Sequence, residues 1–77
     1  MLQAARAVHL PSPEVCRSLR LASGLTEEQV GELVGADRAT VARWELGTRT
    51  PRGQLRERYA AVLSELRRIV AEGERDV

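Results

Sequence analysis

The stretch Leu19-Arg20-Leu21-Ala22-Ser23-Gly24-Leu25-Thr26, followed by Val30, Gly35, Thr40 and Val41 and closing on Trp44-Glu45-Leu46-Gly47-Thr48-Arg49-Thr50-Pro51, decides the fold. Its glycines and apolar positions have the spacing of two short helices joined by a tight turn. Thr26 and Gln29 carry the signature of a capping box, and Leu25 and Val30 sit where a hydrophobic staple would, so a helix is expected over 27–34. Gly35 supplies the sharp turn, Asp37 the N-cap of a helix over 38–46, and Gly47 its stop.

The flanks extend this pair. Ser12 is placed as an N-cap, Pro13 stands at a first helical position where its missing N–H costs nothing, and Glu14 is favourable in the first turn. Val15, Leu19 and Ala22 then fall on one face of a first helix, which Gly24 ends and onto which Leu25 folds back. On the far side, Thr50 and Pro51 open a last helix. Its apolar positions Leu55, Tyr59, Val62, Leu66 and Ile69 fall at intervals of four, three, four and three, with Leu63 and Val70 alongside. That average of 3.5 residues is a seam able to face another helix, and it runs to about Glu72 before Gly73 and a charged tail over 73–77. Residues 1–11 read as an N-terminal arm. The expected fold is all-α: four helices, the last one long.

A chain of 77 residues holds one domain, and a core of that size leaves little stability to spare, for which dimerisation is a natural remedy. With no Phe, one Trp and one Tyr, the core must be built from Leu, Val, Ala and Ile, which suits helices better than a sheet. The net charge is only +1, so position decides. Six arginines (Arg38, Arg43, Arg49, Arg52, Arg56, Arg58) stand against Glu45 and Glu57 within residues 38–58, a clustered basic footprint.

Several classes of chemistry are excluded. The lone Cys16 cannot form an internal disulfide and is expected to pack as a small apolar group; the lone His9 has no partner at metal-ligand spacing. No Ser-His-Asp set, carboxylate pair or phosphate-binding Gly loop can be assembled, so neither catalysis nor a cofactor is expected. No apolar run is long enough for a membrane span or a secretory core, which points to the cytoplasm.

Residues 14–63 resemble the Cro and phage-repressor family, also called XRE-type, whose pattern is L-R-x-x-x-G-L-[ST]-Q-x-x-[LV]-A-x-x-x-G-x-[ST]-x-x-x-[IV]-x-x-[WIY]-E-x-G-x-x-x-P. Most of that pattern is matched in register. The resemblance implies a helix-turn-helix whose third helix enters the major groove of double-stranded DNA while the second crosses above it. By position it assigns base reading to Arg38, Ala39, Ala42 and Arg43, with Asp37 and Thr40 at the margin, and phosphate contacts to Thr40, Thr48, Arg49, Thr50 and Arg52. It also implies a partly buried ion pair between Arg20 and Glu45 that sets the angle of the third helix. Trp44, sharing a face with Val41, belongs to the core rather than to a stacking platform.

Three departures matter. Glu27 stands where the family has a phosphate-binding Gln, and Leu46 where it has Asn; Thr26 and Gln29 are the substitutes for those anchors. The family also breaks after the position of Leu63, whereas this chain continues helical through Ser64, Glu65 and Leu66.

The expected function is therefore sequence-specific DNA binding as a homodimer that regulates transcription, with Leu66, Ile69 and Val70 as the dimer interface. An antitoxin, or a protein-interaction module of the same fold docking another protein through the last helix, is the alternative.

Overall fold

A computed structural model describes residues 9–75, the side chain of Arg75 excepted. It has four helices in the order α1 (Pro13–Ala22), α2 (Glu27–Val34), α3 (Arg38–Leu46) and α4 (Gly53–Arg75), with no strand among the described residues. The chain is an all-α domain in which α4 packs against α1 and α2, while α3 packs against α1 and α2.

Local signals set the helix ends. Ser12 accepts a hydrogen bond from the Val15 amide at 3.3 Å with Pro13 in the first turn. At the other end of α1, the Gly24 amide donates to the Leu21 carbonyl at 3.0 Å and the Leu25 amide to that of Arg20 at 3.2 Å. Those two bonds form a Schellman cap. The α2 box is complete: the Gln29 amide donates to Thr26 Oγ1 at 3.0 Å, and the Thr26 amide to Gln29 Oε1 at 2.9 Å. Asp37 Oδ1 accepts from the Thr40 amide at 2.8 Å.

The turn between α2 and α3 depends on two glycines. Gly35 takes φ +94°, left-handed backbone that strains any side chain. Gly31, one turn earlier and buried, is required for a different reason: a Cβ there would collide with the Ala36 carbonyl oxygen. The Gly31 carbonyl itself accepts from both the Gly35 and Ala36 amides, at 2.7 and 2.9 Å, so the turn closes directly onto α2.

The core joins Cys16 of α1, Val30 and Val34 of α2, Val41 and Trp44 of α3, and Tyr59, Leu63 and Leu66 of α4. Trp44 and Tyr59 meet with ring centroids 4.6 Å apart at 41°.

Four expectations change. The buried face of α1 runs through Cys16, Leu19 and Arg20, not Val15, Leu19 and Ala22: Val15 is 41% exposed and Ala22 is also exposed. The rotation brings the small thiol under Tyr59 and carries Arg20 inward to Glu45. Second, α4 begins at Gly53 rather than at Thr50 and Pro51, and it continues through Gly73 to Arg75, so the expected tail is helical to that point. Arg68 supports the extension by reaching back to Glu65 and forward to Glu72, at 2.5 and 2.8 Å, across successive turns. Third, Leu66, expected on the dimer seam, is 4% exposed and belongs to the core of the single chain. The core of the single chain thus reaches along α4 as far as Leu66.

The fourth concerns the N-terminal arm. Residues 1–8 lie outside the described residues, but Leu10 packs against the core and the Pro11 carbonyl accepts the Cys16 thiol at 3.6 Å. The end of the expected arm is thus part of the domain.

Candidate nucleic-acid interface

The four residues expected to read bases lie along α3. Arg38, Ala39 and Arg43 are exposed and Ala42 is half-buried, while Val41, Trp44 and Glu45 turn the opposite side of the helix into the core. One short helix thereby presents two guanidinium groups and two methyl groups on an open face. Hydrogen bonding by Thr40 holds the Asp37 carboxyl below its usual range, so the cap at the helix start is a firm acceptor for the Thr40 amide.

Beside this face runs a groove of about 720 Å³ whose walls include Thr40, Arg43, Thr48, Arg49, Thr50 and Arg52, with Trp44 and Leu55 among its apolar members. No acidic residue among the described residues lines it. Five of the seven expected phosphate ligands are thus brought together with Arg43: Thr40 from α3, and Thr48, Arg49, Thr50 and Arg52 from the loop joining α3 to α4. A concave strip bearing three arginines is suited to a polyanion, since guanidinium forks match phosphate oxygens and each contact displaces a condensed counterion.

Not all five are equally able to donate. Thr48 spends both its donors on the Arg43 carbonyl, through its amide at 3.0 Å and its hydroxyl at 3.3 Å. Its position fixes the loop rather than offering a hydrogen to an anion. Arg49, Arg52 and Thr50 are exposed.

Thr26 and Gln29 do not line this groove; they sit at the start of α2. The capping box uses only their acceptor atoms and the two backbone amides, which leaves the Thr26 hydroxyl hydrogen and the Gln29 carboxamide hydrogens for an anion at the positive end of the helix.

The ion pair implied by the resemblance is formed. Arg20 Nε and Nη2 donate to Glu45 Oε2 and Oε1 at 2.7 and 3.0 Å, and Arg20 Nη1 donates to the Leu25 carbonyl at 3.0 Å. With 10% and 3% of the two side chains exposed, the pair welds α1, the α1–α2 turn and α3 into one unit.

One contact was not foreseen. Arg38 Nη1 donates to Glu27 Oε1 at 3.3 Å, linking the first residue of α3 to the first of α2. The signal was present as opposite charges opening the two helices of the unit, eleven residues apart, a separation that only the folded turn brings into range. Leu46, the second departure from the family pattern, is 76% exposed at the end of α3.

A family model described as helix-turn-helix matches residues 17–65, from α1 through the first half of α4. The chain belongs to the Cro and phage-repressor (XRE) type of helix-turn-helix family. Its members are DNA-binding regulators, and in this XRE-type domain α2 and α3 are the helix-turn-helix. Neither the curated proteins nor the solved structures yielded a match. Among the described residues of the XRE-type chain, no helix is long and apolar enough to cross a membrane.

Proposed function

We propose that this XRE-type regulator binds a specific double-stranded DNA site as a homodimer and acts on transcription from a roughly palindromic operator. The observation that carries the reading is the union of the open α3 face with the acid-free arginine and threonine groove beside it. Arg38 and Arg43 each offer a planar fork to the two acceptors of guanine, and Ala39 or Ala42 offers a methyl group to thymine. Arg49 and Arg52, with Thr50 and the opening turn of α4, hold the backbone and set the register.

The dimer surface is the far end of α4, where Ile69 is 45% exposed and Val70 half-buried. An isologous contact there relates two α3 helices by a two-fold axis, and major-groove binding on one DNA face asks for half-sites about 34 Å apart.

Leu46 and Leu33, 76% and 60% exposed, favour a second reading in which the fold docks a protein, as in an antitoxin. Titration with random-sequence duplex at low and rising salt separates the two. A DNA binder loses affinity steeply and linearly on a logarithmic salt scale, and absence of binding at the lowest salt would sink the first reading. Selection of bound sites from a random oligonucleotide pool then defines the operator.

A further inference from the structure

Glu27 occupies an adverse place for a DNA-binding surface. It is the first residue of α2, the helix end that favours anions, and its carboxylate repels any phosphate that approaches there. Yet it is not simply solvated: its side chain is 23% exposed and its Oε1 accepts from Arg38 Nη1 at 3.3 Å, while the Arg38 side chain remains 64% exposed. The bond engages one end of the guanidinium and leaves the edge formed by Nε and Nη2 open, which is a two-donor fork.

An unrestrained arginine at the start of α3 has two competing uses. It can reach a phosphate, which gives affinity without sequence information, or it can present its fork to a base edge. The long side chain loses rotamer freedom in either case. A carboxylate at its flank favours the second use, because it fixes the guanidinium in one place and repels the phosphate that would draw it away.

We infer that Glu27 is a specificity-determining positioning residue: it holds Arg38 for base contact and withholds it from the phosphate backbone. This rests on the DNA-binding reading above. Glu27 contacts no base; it acts through Arg38. The size of the effect is bounded by what an exposed ion pair contributes, about fivefold in the population of the held rotamer.

The test is Glu27→Gln, which keeps the shape and removes the charge, measured against the wild-type chain on a selected site, on that site changed at the base pair read by Arg38, and on random duplex. Expected are a rise of up to about fivefold in affinity for random duplex, a salt dependence steeper by about one phosphate contact, and a fall of up to about fivefold in preference at that one base pair. In an Arg38→Ala background the same change must leave base preference untouched, since the residue it positions is gone. A thermal melt of each variant reports the fold. Unchanged preference at every base pair in Glu27→Gln, or an equal change with and without Arg38, overturns the inference while leaving the DNA-binding reading in place. Failure of the wild-type chain to prefer any sequence overturns both.

Discussion

Arg20 and Glu45 meet as a fork on a fork, Nε to Oε2 at 2.7 Å and Nη2 to Oε1 at 3.0 Å, at the junction of α1 with the end of α3. The third donor of Arg20, on the Leu25 carbonyl, ties the pair to the turn that leads into α2. The Glu45 hydrogen bond raises the Arg20 pKa against the opposing effect of burial, so the cation persists at every accessible pH. The α3 helix is therefore oriented by a buried charge pair rather than by apolar packing alone.

Breaking one side of that pair strands the other charge. Glu45→Gln or Arg20→Met is expected to destabilise the fold by about 3 kcal/mol or more, whereas replacing both residues with apolar ones recovers much of the loss. Urea unfolding of the two singles and the double provides the cycle. Small, additive effects would mean that the pair contributes little to orienting α3.

Tyr59 is 2% exposed, yet its hydroxyl has no hydrogen-bond partner among the described residues. Tyr59→Phe removes the orphaned group and keeps the ring on Trp44, so a gain of about 1 kcal/mol in stability is expected near neutral pH. A loss of that size would show that the hydroxyl is satisfied. Burial pushes up the pKa of both the Tyr59 phenol and the Cys16 thiol beside it. With folded values raised, the unfolded chain loses these protons first, so their contribution is complete below the ordinary thiol value of about 8.5 and declines as pH rises beyond it. Each group steepens the decline by at most about 1.4 kcal/mol per pH unit, and Tyr59→Phe should flatten the limb above about pH 10. Urea midpoints from pH 7 to 11 read both effects.

The arginines of the proposed interface should separate into two kinds. Arg43→Ala is expected to cost about 1 to 3 kcal/mol on the operator and to relax preference at one base pair, as loss of a bidentate contact does. Arg49→Ala, changing a loop residue of the groove, should weaken all sequences alike and reduce the salt slope by about one contact. Affinities on matched and mismatched duplexes at three salt concentrations distinguish them. Equal loss on every sequence for Arg43→Ala would reassign it to the backbone.

How legible the molecule was in its sequence depended on the range of the interaction. The bounds of α2 and α3 and the caps at Ser12, Thr26 and Asp37 could be read directly, because each depends on residues within one turn of itself. The rotation of α1 could not, since Val15 and Cys16 are both acceptable at an apolar position and only the place of Tyr59 and Glu45 in space selects the thiol and Arg20 for the inside. The need for Gly31 is not legible in the sequence, because a helical glycine shows its purpose only when the Ala36 carbonyl is folded onto it. Likewise, opposite charges at Glu27 and Arg38 mean nothing until Gly35 reverses the chain. In the interface, position in the family pattern supplied the residues, but that Thr48 is committed to the Arg43 carbonyl is a property of the folded loop.

The far end of α4 gives the sharpest contrast between neighbouring positions. Leu66 and Ile69 lie three residues apart on the same seam, but Leu66 is 4% exposed and Ile69 is 45% exposed. Leu66→Glu places a carboxylate in the apolar core, so it should unfold the chain at ordinary temperature rather than merely separate subunits. Ile69→Glu puts the same charge on the proposed contact between copies and should leave the helical circular-dichroism signal and its melting curve of the single chain largely intact. If the dimer forms there, sedimentation at micromolar concentration should shift from dimer to monomer in Ile69→Glu, and operator affinity should fall towards that of one half-site. A wild-type chain that sediments as a monomer while binding a single half-site tightly would remove the two-fold operator and leave Ile69 and Val70 as a surface for another protein.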